Sequence, residues 1–526
     1  GASITIDGIS TSSKPGVYFN DNVDLDTSGG DIEIAGASNG AGAIDIERAE
    51  FDSAGGNIIF NGTLSLLNQG GLELDSSHST SDGDITFDSV ISGTGDLTLN
   101  AGSGVIELQS DFTVNNLTIT NASSVTLAGN FQGNDLILAP QSYDVILQGS
   151  NNQFVQAVDF VNTGSVTLGN AVDGDGSNVF VFAQGVSFLG NPSVTLAGIV
   201  RTPSQTMDFG TGAVTLAANS VLDSTNNGAS VSGGIITIGG AVAATDSGVQ
   251  GLRLLGGTDG TIELLGNLGS AQTSLGAFEV VAAASVGLAP VIASSIDITA
   301  NDIDLNASTY TATTGTIRLT GALELAIGGS TVSVNTTDQD ITIIGATDDD
   351  VAGDTAWVLN AGAGIIDVGR DSGGLGQSVA LGDVTLIASR VQTGAITLGD
   401  DQNLTVDVSD TAATSEIKYA VSGSGVTLIK EGAATLRVRR PLTGDTAITI
   451  NAGQLNLVAA NTNTGAILVN NDSRLQVGAG GTNARLGSGS VTIDTDASVV
   501  FDLANTDAIL NNAFAGAGTL RLEGTG

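Results

Sequence analysis

Residues 117–168 carry six short phrases of one kind: Leu117-Thr118-Ile119, Val125-Thr126-Leu127, Leu136-Ile137-Leu138, Val145-Ile146-Leu147, Val158-Asp159-Phe160 and Val166-Thr167-Leu168. Alternation with a period of two puts the outer residues of each triplet on one face and the middle residue on the other, as in a β-strand. A triplet falls short of the five or six residues usual in a sandwich strand. The spacing says more. Triplet centres at 118, 126, 137, 146, 159 and 167 leave gaps of 8, 11, 9, 13 and 8 residues, so short and long gaps alternate. Each adjacent pair of gaps sums to roughly 19–22, the length of a solenoid repeat.

The phrase recurs along the whole chain, from Ile4-Thr5-Ile6 through Ile32-Glu33-Ile34, Ile85-Thr86-Phe87, Val194-Thr195-Leu196 and Ile341-Thr342-Ile343 to Ile448-Thr449-Ile450. The paired spacing returns at 397, 405, 418, 427, 437 and 449. Two or three short strands per turn of about 20 residues describe one coil of a parallel β-helix. The sequence therefore predicts an all-β fold: a right-handed parallel β-helix (β-solenoid), about 20 residues per coil and about 26 coils, forming a single elongated rod. The usual size limit on a core does not apply, because a solenoid core grows in one dimension. A string of β-sandwich domains would need longer strands and a boundary every ~100 residues. A left-handed hexapeptide helix would need gaps in multiples of about six.

Composition agrees and excludes much else. The 526 residues carry 15 Lys+Arg against 55 Asp+Glu, a formal charge of −40, yet 41% are hydrophobic and only 13% charged, unlike a disordered acidic tail. Asp outnumbers Glu 44 to 11, and Gly contributes 74 residues, which favours turns over helix. With no Cys, disulfide scaffolds and thiolate metal sites are ruled out. The negative surface argues against nucleic acid as a partner. No apolar run is long enough for a membrane-spanning helix. The chain begins at Gly1 already in the repeat pattern and ends in it, with no amphipathic cap at either end. Its expected partners are therefore like subunits, or a longer continuation of the same chain, stacked end to end as in a filament.

Residues 423–457 are more specific than the rest. They run Gly423-Ser-Gly-Val-Thr-Leu-Ile-Lys430-Glu-Gly-Ala-Ala-Thr-Leu-Arg-Val438, then Thr443-Gly444-Asp445, then Ile448-Thr-Ile-Asn-Ala-Gly-Gln-Leu-Asn-Leu457. This stretch resembles the autotransporter-associated β-strand repeat, with Gly423, Gly425, Lys430, Gly432, Thr435 and Leu436 in its first part and Ile450 to Gly453 and Leu455 to Leu457 in its second. Ala434 stands where that repeat usually has Gly. Gly516-Ala-Gly-Thr-Leu-Arg-Leu522 is a weaker echo, and Leu97-Thr-Leu-Asn-Ala-Gly102 is similar in style to large haemagglutinin-type surface proteins. The chain so divides into a solenoid stalk with degenerate repeats, 1–422, and a continuation with the more specific repeats, 423–526. The resemblance implies a secreted β-helical stalk or passenger of a Gram-negative type cell surface. With no catalytic cluster in the sequence, the expected function is non-enzymatic, structural or adhesive, at the cell surface or in the extracellular space, with surface glycans or matrix as further partners. The competing reading is a β-helical polysaccharide lyase or hydrolase.

Candidate chemistry is sparse. His78, the one histidine, lies in Asp75-Ser-Ser-His-Ser-Thr-Ser-Asp82 without a Gly-x-Ser-x-Gly context, and reads as a polar turn. No catalytic residue is expected. Lys430, Arg437, Arg439 and Arg440 form the one basic cluster, an anionic-ligand patch or a local counter-charge. The Asp-rich turns offer hard oxygen ligands, so Asp348, Asp349, Asp350 and Asp354 are the candidate Ca²⁺ loop, with Asp173-Gly-Asp-Gly176 behind it. No other cofactor is implied. Trp357 and most Phe residues, among them Phe60, Phe87, Phe160 and Phe188, occupy apolar triplet slots and are expected in the core.

Overall fold

The computed structural model describes residues 1–10, 15–20, 22–38, 44–67, 70–170, 176–369, 373–481, 483–504 and 510–523. Among these residues there is no helix, and short strands stack in parallel as the coils of a β-solenoid. The chain divides into two compact units: Gly1–Gly276 with Ala282–Ala284, and Ala277–Val281 with Ser285–Gly526.

Each coil of the first unit has three sides. Residues Val105–Leu108 make one side. The strand Phe112–Asn121 makes the next two, because its alternation slips at Asn115-Asn116 and so turns Phe112, Val114, Leu117 and Ile119 all inward. The register between coils then places like on like. On the first side one ladder runs Ile4, Ile32, Ile58, Ile85, Ile106, Val125, Val145, Val166, Val194, Val214 and Val242. On the third side another runs Leu25, Phe51, Leu74, Leu99, Ile119 and Leu138. In the second unit the same device gives Val332, Trp357, Val384, Leu404, Leu428, Ile448, Ile467 and Val491. This ladder passes through residue 423 without a break in register. Core Trp357 is fully buried, as its slot predicted.

Coil length differs from the sequence expectation. The chain makes about 21 turns spaced about 24 residues apart, against the expected 26 coils of about 20. Between Ile85 and Val166 successive rungs are indeed 19–21 residues apart, but the rungs from Ile4 to Ile85 are 26–28 apart. The strands keep their length and the corners absorb the extra residues, since a corner loop faces solvent and its growth costs little.

Two packing devices hold the coils together. Phe131, Phe154 and Phe182 stack with ring centroids 4.6 Å apart at each step, and Phe160, Phe188 and Phe209 stack at 4.8 Å. Offset ring stacking adds about 0.5–1.5 kcal/mol per pair to the burial itself. At one corner Gly30, Gly56, Gly83 and Gly104 lie one above another. A Cβ on Gly56, Gly83 or Gly104 would sit 2.0–2.3 Å from the carbonyl oxygen of the coil below, so only glycine lets these backbones approach.

Candidate functional site

The acidic loop forms at a corner of the second unit. Thr347–Asp349 is a strand whose register sets Thr347 on Leu323 and Asp349 on Leu325, so both point into the core. Asp349 is 2% exposed, and its carboxylate accepts the backbone N–H groups of Asp350 (3.0 Å), Asp354 (3.1 Å) and Thr355 (2.8 Å). Burial pushes its carboxyl above the usual range. Asp348 points outward and accepts the N–H groups of Ser378 (2.8 Å) and Val379 (3.2 Å) on the neighbouring loop. Asp350 accepts from Val351 at 2.9 Å, and Asp354 is exposed. The candidate Ca²⁺ ligands are thus neighbours along the chain but engage different backbone donors. Among the described residues no three His, Cys, Asp or Glu side chains group to hold a metal ion. Of the second candidate turn, Asp173, Gly174 and Asp175 lie outside the described residues.

The same use of carboxylates recurs along both units. Asp111 accepts the N–H of Asn130 (2.8 Å), Asp144 that of Ser165 (2.7 Å), Asp340 that of Ile365 (2.8 Å) and Asp383 that of Asn403 (2.7 Å). In each case the carboxylate reaches one coil onward, to an N–H just before or at the entry of the next strand, which the ladder leaves without a carbonyl. The short Asp side chain suits this reach, in a chain whose Asp outnumber Glu 44 to 11. Sequence reasoning missed this role, although the position of Asp shortly before so many triplets signals it.

His78 is exposed in its turn; its Nδ1 lies 3.0 Å from Thr80 Oγ1. Its backbone N–H donates to Asp82 at 2.6 Å. That bond, with the N–H and hydroxyl of Ser103, holds the Asp82 carboxyl below its usual range.

The basic cluster is rearranged. In Thr427–Glu431 the inward positions are Leu428 and Lys430, so Lys430 occupies the core slot between Val406 and Ile450 rather than the surface. It is fully buried, and its ammonium donates to the carbonyl oxygens of Glu431, Gly432 (2.7 Å) and Ala452 (3.3 Å). Burial pushes its pKa down to about 8. Lys430 therefore leaves the candidate anion patch, because the period of two that puts Arg437 outward in its strand puts Lys430 inward in the strand before. Arg439 and Arg440 do reach the surface, and the fold adds two residues that the sequence reading did not include, Lys418 and Tyr419. Ile417 pairs with Val438 across adjacent coils, so the residues that follow, Lys418-Tyr419 and Arg439-Arg440, share one corner. Glu416, Lys418, Tyr419, Arg439 and Arg440 line a groove of about 430 Å³. Arg439 Nε pairs with Glu416, and the Lys418 ammonium lies 5.2 Å from the centre of the Tyr419 ring. No family model, curated protein or solved structure matches the chain.

Proposed function

We propose that this chain is a non-enzymatic structural or adhesive protein of the bacterial surface or extracellular space, whose work is to display a repetitive polar face on a rigid stack of coils. The observation that carries this reading is the ladder of like residues that runs through successive coils, from Ile4 to Val242 in the first unit and from Val332 to Val491 in the second. The ladder that buries Ile106, Val125, Val145, Val166 and Val194 stacks Glu107, Thr126, Ile146, Thr167 and Thr195 outward in step. A mostly Thr ladder of this kind offers stacked hydroxyls rather than a single reactive centre. The resemblance of residues 423–457 to the autotransporter-associated repeat supports the location. Incubating the protein with acidic and neutral polysaccharides, followed by product analysis, tests it. No chain shortening is expected; turnover that disappears on changing one Asp would instead establish the carbohydrate-active reading. Electron microscopy of native cells labelled against the protein should place it outside the outer membrane.

A further inference from the structure

The groove at Glu416, Lys418, Tyr419, Arg439 and Arg440 has a composition at odds with its surroundings. Of the 15 basic residues in a chain of charge −40, three line this one concavity. The backbone puts them there: Lys418 N–H donates to Thr393 O (3.1 Å), Arg439 N–H to Ile417 O (3.0 Å) and Val458 N–H to Val438 O (3.2 Å), so four successive coils align at this corner. The coils on either side contribute Gly394-Ala395 and Val458-Ala459 to the same corner. Pro441 follows Arg440 and fixes the backbone where the corner turns. Tyr419 is 38% exposed, giving the groove an aromatic surface beside its cations.

We propose that this corner is a binding site for an acidic sugar unit, one carrying a carboxylate or sulfate. Arginine guanidinium groups bind such oxoanions through paired N–H donors, and a tyrosine ring offers an apolar face with a polar tip to a sugar ring. Glu416 holds Arg439 in the unliganded groove, so the ligand's acid group competes with Glu416 for that guanidinium. This inference goes beyond the structural reading and stands apart from it, since binding in solution is measured without reference to location or turnover.

The test is equilibrium binding of the full chain to a galacturonic acid trisaccharide, a sulfated trisaccharide, the matching neutral trisaccharide and inorganic sulfate. Acidic trisaccharides should bind, the neutral one should not, and sulfate alone should bind at least about tenfold more weakly. Arg440→Gln should weaken acidic trisaccharide binding about tenfold, as expected for loss of a charge-assisted contact. Glu416→Gln should tighten it about threefold by freeing Arg439. Tyr419→Ala should weaken the trisaccharides and leave sulfate unchanged. Tyr419 and Arg440 are exposed and Glu416 is half-buried, and melting curves verify that the variants fold. Equal binding of the neutral sugar, indifference to Arg440→Gln, or loss of affinity on Glu416→Gln overturns the proposal. Sulfate binding as tightly as the acidic sugars reduces the site to a bare anion site and overturns its sugar specificity.

Discussion

Thr195 and Leu196 are neighbours in one strand, yet the fold treats them oppositely. Leu196 is 1% exposed between Leu168 and Leu216, whereas Thr195 stands outward between Thr167 and Thr215. Leu196→Asp should bury a charge with no partner and cost several kcal/mol, about 3 or more, whereas Thr195→Asp should stay within about 1 kcal/mol; denaturant melts of the two variants measure the difference. Lys430 poses the harder case of a charge the fold chose to bury. Its folded pKa, about 8, lies below the ordinary lysine value of 10.5. Between these values the unfolded chain binds the proton and the folded one does not, so stability rises as pH climbs from about 8 to 10.5 and is lowest below 8. The amplitude is about 3 kcal/mol. Lys430→Met should remove that alkaline gain. At pH 7 the two effects oppose: the variant sheds the desolvation cost but strands three carbonyl acceptors, and a net loss of about 1–3 kcal/mol is expected. Melts of both proteins from pH 7 to 10.5 decide whether the ammonium carries the pH dependence.

At the scale of strands and corners, the Asp bridges and the Phe stacks do different work. The carboxylate of Asp144 accepts both the N–H (2.7 Å) and the hydroxyl (2.8 Å) of Ser165 on the next coil. Asn keeps an oxygen in that place and Ala does not. Asp144→Asn should therefore be close to neutral, and Asp144→Ala should cost about 1 kcal/mol, as loss of a helix N-cap does for the same reason. Hydrogen exchange at the Ser165 amide should speed up in the Ala variant alone. Phe154 is the middle of a stack, 4.6 Å from both Phe131 and Phe182. Phe154→Ala opens a cavity at the centre of that side and should cost about 3–5 kcal/mol. Phe154→Leu, which retains most of the volume, should cost clearly less in the same urea titration.

Across the molecule part of the net charge of −40 is stacked in columns. Asp24 and Asp26 sit in register with Glu50 and Asp52, and these with Glu73 and Asp75. Asp24 and then Asp52 push the Asp26 carboxyl above its usual range. In the second unit Asp304, Glu324 and Asp348 form a similar column, and Glu324 is raised by burial and then by Asp304, Asp302, Asp350 and Asp348. A raised folded pKa means that the folded chain binds protons more readily than the unfolded one. The stability this contributes is present below the ordinary carboxylate range and is lost as pH rises through the folded values. Lowering the pH from 7 into the carboxylate range should raise the melting temperature at low salt. At high NaCl that gain should shrink, while the melting temperature at pH 7 rises. A melting temperature that falls on mild acidification would show that Asp pairing with backbone N–H groups, as at Asp82, outweighs repulsion between columns.

The inward triplets were legible because burial has only one signature in a strand, alternation, and the pairs Val125/Leu127 and Ile448/Ile450 show it plainly and are buried. Those residues determined the solenoid, its apolar stripes and the core places of Trp357, Phe60 and Phe188. One side of the coil was not legible. In Phe131–Leu138 and Asn151–Phe154 the inward slots of that side hold Phe131, Gly133, Asn152 and Phe154, and Asn152 is buried because its amide serves Phe131 N–H and Gly149 O. Coil length was likewise hidden, since solvent-facing corners carry no periodic constraint. The roles of charged residues were decided by register alone. Nothing in Leu428-Ile429-Lys430 distinguishes a surface lysine from a core one until Val406 and Ile450 stack on it, and Lys418 and Arg439 lie 21 positions apart in sequence. Only the coil that brings Ile417 beside Val438 sets them at one corner. Local alternation chooses which face a residue takes. The length of the intervening coil, fixed by packing in three dimensions, chooses its neighbours.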